Sequence, residues 1–190
     1  IETVTIPAGV TEIGNSTFAG CNNLKEITIP AGVTEIGIWA FRDCKNLSVI
    51  DLPEGLTTLR QNAFMGTSIT SIKIPKTLSA TSGYGKEGPF YGCSKLKTVI
   101  FEEGTTRIAD SLFAGCQGLE TVTIPAGVTV IGGYAFSDCT SLKEITIPAG
   151  VTEIGRCAFL NCENLKEITI PAEVTEIGGS AFCGCTSLKK

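Results

Sequence analysis

The sequence of 190 residues contains no histidine. Histidine is the commonest general base, the usual partner of a catalytic serine or cysteine, and a frequent zinc ligand. Positive charge is also scarce, because 15 Lys and Arg against 19 Asp and Glu give a net charge of −4. No basic stripe is available to neutralise a phosphate backbone. The scarcity of positive charge argues against nucleic acid as a partner. The absence of histidine removes the residue most often used as a general base in enzymes.

Long apolar runs are missing as well. None approaches the roughly 20 residues that a membrane helix needs, so we predict no membrane insertion by this segment. Apolar residues nevertheless make up 43% of the chain and charged residues only 18%, which is enough for a buried core. The chain begins at Ile1, inside a repeat and without an initiator methionine, and we expect it to be part of a longer protein.

What the sequence has in abundance is self-similarity. KEITIPAGVTEIG occurs at 25–37 and 143–155, and KEITIPAEVTEIG occurs at 166–178. The wider frame is L-x-x-I-x-I-P-x-x-V-T-x-I-G-x-x-A-F-x-x-C-x-x, whose phenylalanines are 23 residues apart except for one interval of 26. They lie at positions 18, 41, 64, 90, 113, 136, 159 and 182. We predict one array over 1–190 of about eight 23-residue coils, with an irregular coil and a four-residue insertion at about 76–90.

The first half of each copy predicts a short strand. Ile27 and Ile29 point to one face, and Glu26 and Thr28 point to the other. Pro30 has no N–H group to donate to a neighbouring strand, so it is expected to end this one.

The second half of each copy is predicted to close the coil. Val33 and Ile36 supply a second apolar pair, and Gly37 is expected to allow a bend. The Ala40-Phe41 pair is expected to fill the far side from a short 3₁₀ or helical turn. One copy cannot bury these faces alone, whereas stacked copies form a continuous core. Because the period lies in the range of about 20 to 29 residues found in leucine-rich repeats, the sequence predicts a repeat solenoid.

The signature L-x-x-I-x-I-P…I-G-x-x-A-F-x-x-C resembles the BspA-like leucine-rich repeats of bacterial surface proteins, and the resemblance covers essentially all of 1–190. It implies a right-handed coil with a parallel β-ladder on its concave face and short strands or 3₁₀ or helical turns on the convex side. It also implies a secreted or cell-surface protein that adheres to host proteins or other cells, with no catalytic motif and no cofactor. Thr67 in place of the usual Cys and Glu102 in place of the usual Pro depart from this pattern.

Nine cysteines raise the question of a metal or redox site. Seven follow the repeated phenylalanine by three residues and should form one column: Cys21, Cys44, Cys93, Cys116, Cys139, Cys162 and Cys185. Strands about 4.8 Å apart would allow disulfides between neighbours, but in-register side chains point the same way, so we favour small buried thiols. With one cysteine in each coil and no histidine, a metal site is less favoured.

Two cysteines lie outside this column. Cys157 stands where other copies have residues as different as Trp39 and Ser180, and we predict that it is exposed. Cys183 and Cys185 flank Gly184 as C-x-C. Reactive thiols are an alternative to simple tolerance of cysteine at Cys157 and Cys183.

Two outward-facing columns of the predicted strands carry the best candidates for a binding surface. In the end coils these columns hold mainly Thr and Glu, as is typical of solvated β-structure. The middle coils replace them with Val49, Asp51, Lys73 and Ile100, which we predict to be exposed and to form an interaction patch.

The insertion carries the second group of candidates. GYGKEG at 83–88 matches G-x-G-x-x-G, but no βαβ pattern surrounds it, so we interpret it as a protruding loop. Loops of repeat proteins often make contacts, and Tyr84, Lys86 and Tyr91 are predicted to contribute to binding.

Two functional hypotheses remain from the sequence. The chain is either a non-catalytic module that binds a protein or glycan on host or neighbouring cells, or a structural spacer without a ligand of its own. No nucleophile and base are paired in a way that argues for an enzyme. Exposed edges of a solenoid also predict end-to-end self-association.

Overall fold

The protein is a stack of coils made of very short parallel strands. A computed structural model describes residues 2–82 and 87–189, and within them it contains fourteen strands and no helix, hence none that could cross a membrane. In chain order the strands are β1 (Thr3–Thr5), β2 (Glu12–Ile13), β3 (Glu26–Thr28), β4 (Glu35–Ile36), β5 (Thr58–Arg60), β6 (Ser71–Ile74), β7 (Ala80–Ser82), β8 (Thr98–Phe101), β9 (Arg107–Ile108), β10 (Thr121–Thr123), β11 (Val130–Ile131), β12 (Glu144–Thr146), β13 (Glu153–Ile154) and β14 (Glu176–Ile177). The predicted repeat solenoid is confirmed.

The strands belong to two parallel ladders. The first ladder consists of the pairs β1-β3, β6-β8 and β10-β12, and the second consists of the sheets β2-β4-β5-β7 and β9-β11-β13-β14. Paired residues in the regular coils are 23 positions apart, as Thr5 is from Thr28 and Thr123 is from Thr146. The second ladder supplies the short strands that were predicted, as one alternative, for the other side of the coil.

Proline sets the length of the first-ladder strands. β3 ends at Thr28 and β12 ends at Thr146, two residues before Pro30 and Pro148. Ile27 and its equivalents point inward and are buried, except in the end coils, where Val4 and Ile168 are half-buried. The residues on either side of them are exposed. The predicted alternation and the predicted stop are therefore both confirmed.

A column of threonines ties each coil to the one before it. The backbone N–H of Thr57 donates to the carbonyl of Thr34 at 2.9 Å, and its side-chain hydroxyl donates to the same oxygen at 3.1 Å. Thr152 bonds the carbonyl of Thr129 in the same two ways, at 2.8 and 3.3 Å. The threonine of the V-T-x-I-G segment thus contributes a second hydrogen bond across each regular junction.

The repeated phenylalanines form a continuous stack of rings through the core. Successive ring centroids are 5.1 to 5.8 Å apart, and no interplanar angle exceeds 18°. The six rings from Phe41 to Phe159 are fully buried. Phe101, which occupies a position that is isoleucine in the regular copies, meets Phe113 edge-on at 6.0 Å. Both arrangements are favourable for aromatic pairs.

The turn that carries these rings is not helical, so the predicted 3₁₀ or helical turn was wrong. The N–H of Ala40 donates to the carbonyl three residues earlier, but the N–H of Phe41 donates to Ala63 in the next coil at 2.7 Å. Left-handed residues on both sides of this pair, Trp39 with φ of 56° and Asp43 with φ of 57°, break any helix. Alternate N–H groups are therefore directed to the neighbouring coil, where they join the stack.

The glycine of the I-G pair is a position of close packing between coils. Neither Gly155 nor Gly178 has a positive φ. A Cβ on Gly155 would lie 2.6 Å from the carbonyl carbon of Gly132 and would overlap the nitrogen of Gly133. In these coils the backbone of the preceding coil passes too close to leave room for a Cβ.

Candidate binding surface

The outward side chains of the first ladder form one strip, which we call the strand face. It consists of two columns whose members are all exposed: Thr3, Glu26, Val49, Ser71, Thr98, Thr121, Glu144 and Glu167, and Thr5, Thr28, Asp51, Lys73, Ile100, Thr123, Thr146 and Thr169. The strand register confirms the columns within each paired part of the ladder, since Lys73 pairs with Ile100 and Asp51 pairs with Thr28. The middle coils therefore interrupt a Thr and Glu surface at the places that the repeat frame indicated.

Val49 and Ile100 are the two large apolar side chains on this face, and they are 62% and 55% exposed. Each lies in a shallow depression. The first is lined by Val49 and Asp51 together with the regular coils before them, and the second is lined by Ile100, Phe101 and residues of the following coil. Apolar side chains in such positions expose surface that a partner could bury.

The strand face is also where the ladder is interrupted. Among the described residues, β6 pairs with β8 but not with the segment that contains Val49 and Asp51. The cause is that this coil is one residue shorter between the turn and the strand. Three positions separate Cys44 from Leu47, whereas two separate the equivalent residues Thr67 and Ile69. The N–H of Ser68 still donates to Leu47 at 3.0 Å, which keeps the two coils joined at one end of this break.

Glu102 lengthens the strands at the centre of this region. It stands where the frame has proline, so it keeps an N–H group, which donates to the carbonyl of Ile74 at 2.9 Å. As a result, β6 and β8 have four residues each, whereas β3 has three. Its carboxylate accepts the backbone N–H of Lys76 at 3.1 Å and the ammonium of Lys73 at 3.2 Å. These two bonds, the backbone one first, lower the pKa of Glu102.

The substitution Glu102→Gln is expected to make thermal stability less dependent on pH. Because the pKa of Glu102 is lowered in the folded protein, its contribution is present above the unfolded-state pKa and is lost as the pH falls through the folded-state pKa. The melting temperatures of the two proteins should therefore differ near neutral pH and converge in acid. Glu103→Gln, at the exposed neighbouring position, is the control. A constant difference at all pH values would contradict this account.

The predicted site residues do not all lie together. Val49, Asp51, Lys73 and Ile100 share the strand face, whereas Tyr91 follows Phe90 in the turn that carries the ring column. The ring of Tyr91 lies over Gly115 of the next coil and is half-buried. Tyr84 and Lys86 lie outside the described residues. Tyr91 therefore lies apart from the strand face, because its turn and the first ladder are separate parts of the coil.

The repeated cysteines are packed in one column between coils, as predicted. The thiol of Cys44 donates to the carbonyl of Phe18 at 3.1 Å, and that of Cys139 donates to Phe113 at 3.2 Å. Cys93, Cys116, Cys162 and Cys185 bond in the same way to the phenylalanine of the coil before them. Burial raises the pKa of Cys44 to about 11 and that of Cys93 to about 12. Such thiols are poor nucleophiles.

Cys157 is buried, contrary to the prediction that it is exposed. It is 5% exposed, and its sulfur lies 3.8 Å from the carbonyl oxygen of Gly179 in the next coil. A small side chain at this position can be covered by the following coil, whereas the larger Trp39 remains 41% exposed. Of the two cysteines outside the column, only Cys183 is exposed.

A maleimide added to the native protein is expected to label Cys183 first. Cys44, Cys93, Cys116, Cys139 and Cys162 should react only after addition of denaturant, because burial both hides these thiols and disfavours the thiolate. Mass spectrometry of tryptic peptides measures the order, and Cys183→Ser is the control. Fast labelling of Cys139 in the native protein would contradict the packed column.

Some features of the surface were not anticipated from the sequence. The guanidinium of Arg42 lies 5.6 Å from the ring centroid of Trp39, and Arg60 forms a bidentate pair with Glu35 at 2.7 and 3.1 Å. Arg60 occupies the position that is glycine in the repeat frame. A charged residue at this position was the sequence feature that could have indicated an ion pair. Because Glu35 and Thr58 are register partners on adjacent strands, Arg60 reaches Glu35 across one junction.

Comparison with known proteins agrees with this architecture. The family model for the BspA type leucine rich repeat region matches residues 1–85 and 86–189. No curated protein sequence matches the chain. Among solved structures, a leucine-rich repeat protein from Treponema pallidum is 28% identical with a TM-score of 0.65, over 100% of this chain and 78% of its own.

Two further solved structures are similar. A leucine-rich repeat protein from Bacteroides ovatus is 27% identical with a TM-score of 0.61, over 98% of this chain and 62% of its own. One from Eubacterium ventriosum is 26% identical with a TM-score of 0.56, over 100% of this chain and 59% of its own. The chain thus spans about three fifths of the length of these two proteins.

Proposed function

Since this chain belongs to the BspA-type leucine-rich repeat family, we propose that it is a non-catalytic binding module of a cell-surface or secreted bacterial protein. Its strand face holds a protein partner against the middle coils. The regular coils before and after them act as the scaffold that fixes the position of this surface.

The exposure of Val49 and Ile100 carries this proposal. A solenoid needs only the inward residues of each strand for stacking, and the other coils place mainly Thr and Glu at the outward positions. Two apolar side chains more than half exposed therefore contribute nothing to the stack. Asp51 and Lys73 lie on the same face and provide charges of both signs. Apolar contacts bordered by charged groups are typical of the core and rim of a protein interface.

Binding to a panel of purified extracellular proteins tests this proposal. We expect at least one protein to bind the immobilised chain in surface plasmon resonance. The double variant Val49→Thr with Ile100→Thr should weaken that interaction by about tenfold or more, because it removes the two apolar contacts, and tenfold corresponds to about 1.4 kcal/mol. Both substitutions introduce a residue that the strand face already carries elsewhere, so the fold should be retained.

The matched control changes the same two columns in a regular coil. Glu144→Thr with Thr146→Ser lies on β12 and should leave the affinity unchanged. Equal binding by the wild type and the Val49 and Ile100 variant would show that the strand face of the middle coils is not the binding surface.

A spacer role is the second candidate, and the identity of 25–37 and 143–155 favours it. A spacer requires only that its coils stack, so nothing selects for differences between them. The middle coils do not fit this account, because their outward positions differ while their inward positions remain apolar.

A further inference from the structure

Another concavity lies away from the strand face, beside the turn that carries the ring column. It has a volume of about 280 Å³ and is lined by Tyr91, Gly92, Gly115, Gln117, Asp138 and Thr140. These residues come from three successive coils. They include one aromatic ring, one carboxylate, one side-chain amide and the hydroxyl groups of Tyr91 and Thr140, and none of the six is basic.

The concavity exists because of a run of glycines in one column. The residue before each cysteine of the repeat has a positive φ and is Gly, Asp or Asn in every coil. Where the preceding coil has Asp43, that side chain fills the space beside Gly66, with its Oδ1 2.7 Å from the position of a Cβ. Beside Gly92 nothing lies within 4 Å of that position. The position beside Gly92 is therefore open, whereas the position beside Gly115 is occupied by the ring of Tyr91.

The ring of Tyr91 packs against the backbone of Gly115 at one side of this space. A Cβ on Gly115 would lie 2.5 Å from Cδ2 and 2.8 Å from Cε2 of the tyrosine ring. The ring can therefore rest on the backbone only because residue 115 is glycine. Tyr91 is half-buried, so part of the ring remains available to a ligand. This gives the concavity an apolar surface whose position is fixed.

Asp138 is held in place on the other side. Its Oδ1 accepts a hydrogen bond from Nδ2 of Asn161 at 2.7 Å, and its Oδ2 accepts one from the hydroxyl of Ser137 at 2.9 Å. Ser137 is fully buried, so this second bond is protected from water. These contacts fix the orientation of the Asp138 carboxylate in the lining of the concavity.

We propose that this concavity binds a single pyranose ring of a neutral carbohydrate. A pyranose has an apolar C–H face and a rim of hydroxyl groups, which match an aromatic ring beside a carboxylate, an amide and a hydroxyl. The volume of about 280 Å³ is slightly below the range of about 300 to 1,000 Å³ found for small-molecule sites, as suits a single sugar ring. Asp138 and the lack of a basic lining residue disfavour sulfated or phosphorylated sugars.

Titration of the ¹⁵N-labelled protein with single sugars tests this proposal. The probes are the methyl glycosides of glucose, galactose, mannose and N-acetylglucosamine. We expect at least one of them to shift the amide signals of Gly92 and Gly115, with saturation in the range of about 1 to 10 mM that is usual for a small polar ligand. Tyr91→Ala should weaken this binding by about tenfold or more, and Tyr91→Phe should retain it.

A second set of variants separates binding from folding. Gln117→Ala changes an exposed lining residue and should also weaken binding. Asp43→Asn is the matched control for Asp138→Asn, because both aspartates precede a repeat cysteine and both have a φ of 57°. Absence of shifts with all four sugars, or shifts that Tyr91→Ala leaves unchanged, would overturn the proposal. The strand face would be unaffected by that outcome, since the two surfaces share no residue.

Discussion

Replacement of Phe136 by alanine is expected to lower the free energy of unfolding by about 3 to 5 kcal/mol, the usual cost of removing a buried aromatic ring. The ring is fully buried and stacks on Phe113 at 5.7 Å and on Phe159 at 5.5 Å. Its removal would leave a cavity at the centre of the column and interrupt contact between coils on both sides. Denaturation by urea, followed by circular dichroism, measures the loss.

Phe182 provides the comparison for this experiment. It is only partly buried and stacks on one ring, that of Phe159 at 5.4 Å. Phe182→Ala should therefore cost clearly less than Phe136→Ala. Equal losses would mean that the rings contribute individually and that the column is not the continuous core that its geometry indicates.

The substitution Gly155→Ala is expected to destabilise the protein by about 1 to 3 kcal/mol, the range for overpacking of a close-packed site. The added methyl group would overlap the nitrogen of Gly133 and lie 2.6 Å from the carbonyl carbon of Gly132. Both contacts are with backbone, so no side-chain rotation can relieve them. The N–H of Gly155 also donates to Ile131 at 2.8 Å, a bond between coils that any displacement would lengthen.

Gly179→Ala is the matched control. A Cβ at Gly179 meets nothing within 4 Å, and this glycine has no positive φ. Alanine there should leave stability unchanged or raise it by a few tenths of a kcal/mol, because it restricts the unfolded chain. Melting temperatures of the two variants measure the difference. A Gly155→Ala protein as stable as the wild type would show that the close approach is not required.

Much of the architecture could be predicted from the sequence. The alternation around Ile27 indicated the strand, Pro30 indicated its end, and the 23-residue period indicated which side chains form columns. These predictions succeeded because each depends on one property repeated in every coil. A period that recurs many times fixes the register more firmly than the propensity of any single segment.

The turn around the rings could be predicted only in part. A signal was present before the repeat cysteines, where Gly, Asp and Asn are the residues that most readily adopt a left-handed conformation. A second left-handed position lies two residues before the repeated phenylalanine. It holds Trp39, Tyr134 and Cys157, whose residue types do not indicate a left-handed conformation. The predictions of a helical turn and of an exposed Cys157 failed for this reason.

The candidate surfaces could also be predicted only in part. Exposure of Val49 and Ile100 follows from their phase in the repeat, so the sequence predicted it correctly. The surroundings of Tyr91 depend on Gly115, 24 residues away in the sequence and in the next coil. A contact between two positions that the frame leaves variable has no signature in a single copy of the repeat.

The departures from the repeat therefore carry the functional argument. The repeated sequence at 25–37 is explained by packing between coils. The outward residues of the middle coils are not required for that packing. If the chain is a binding module, the effect of losing a coil depends on which coil is lost. If it is a spacer, only the number of coils matters.

Surface plasmon resonance of two deletion variants tests this claim most directly. Residues 96–118 and 142–164 are each one 23-residue unit, and removal of either leaves the repeat frame intact. With a protein partner bound by the full chain, deletion of 142–164 should keep the affinity within about threefold, and deletion of 96–118, which contains Ile100, should weaken it by about tenfold or more. Equal losses from the two deletions would contradict a binding site in the middle coils.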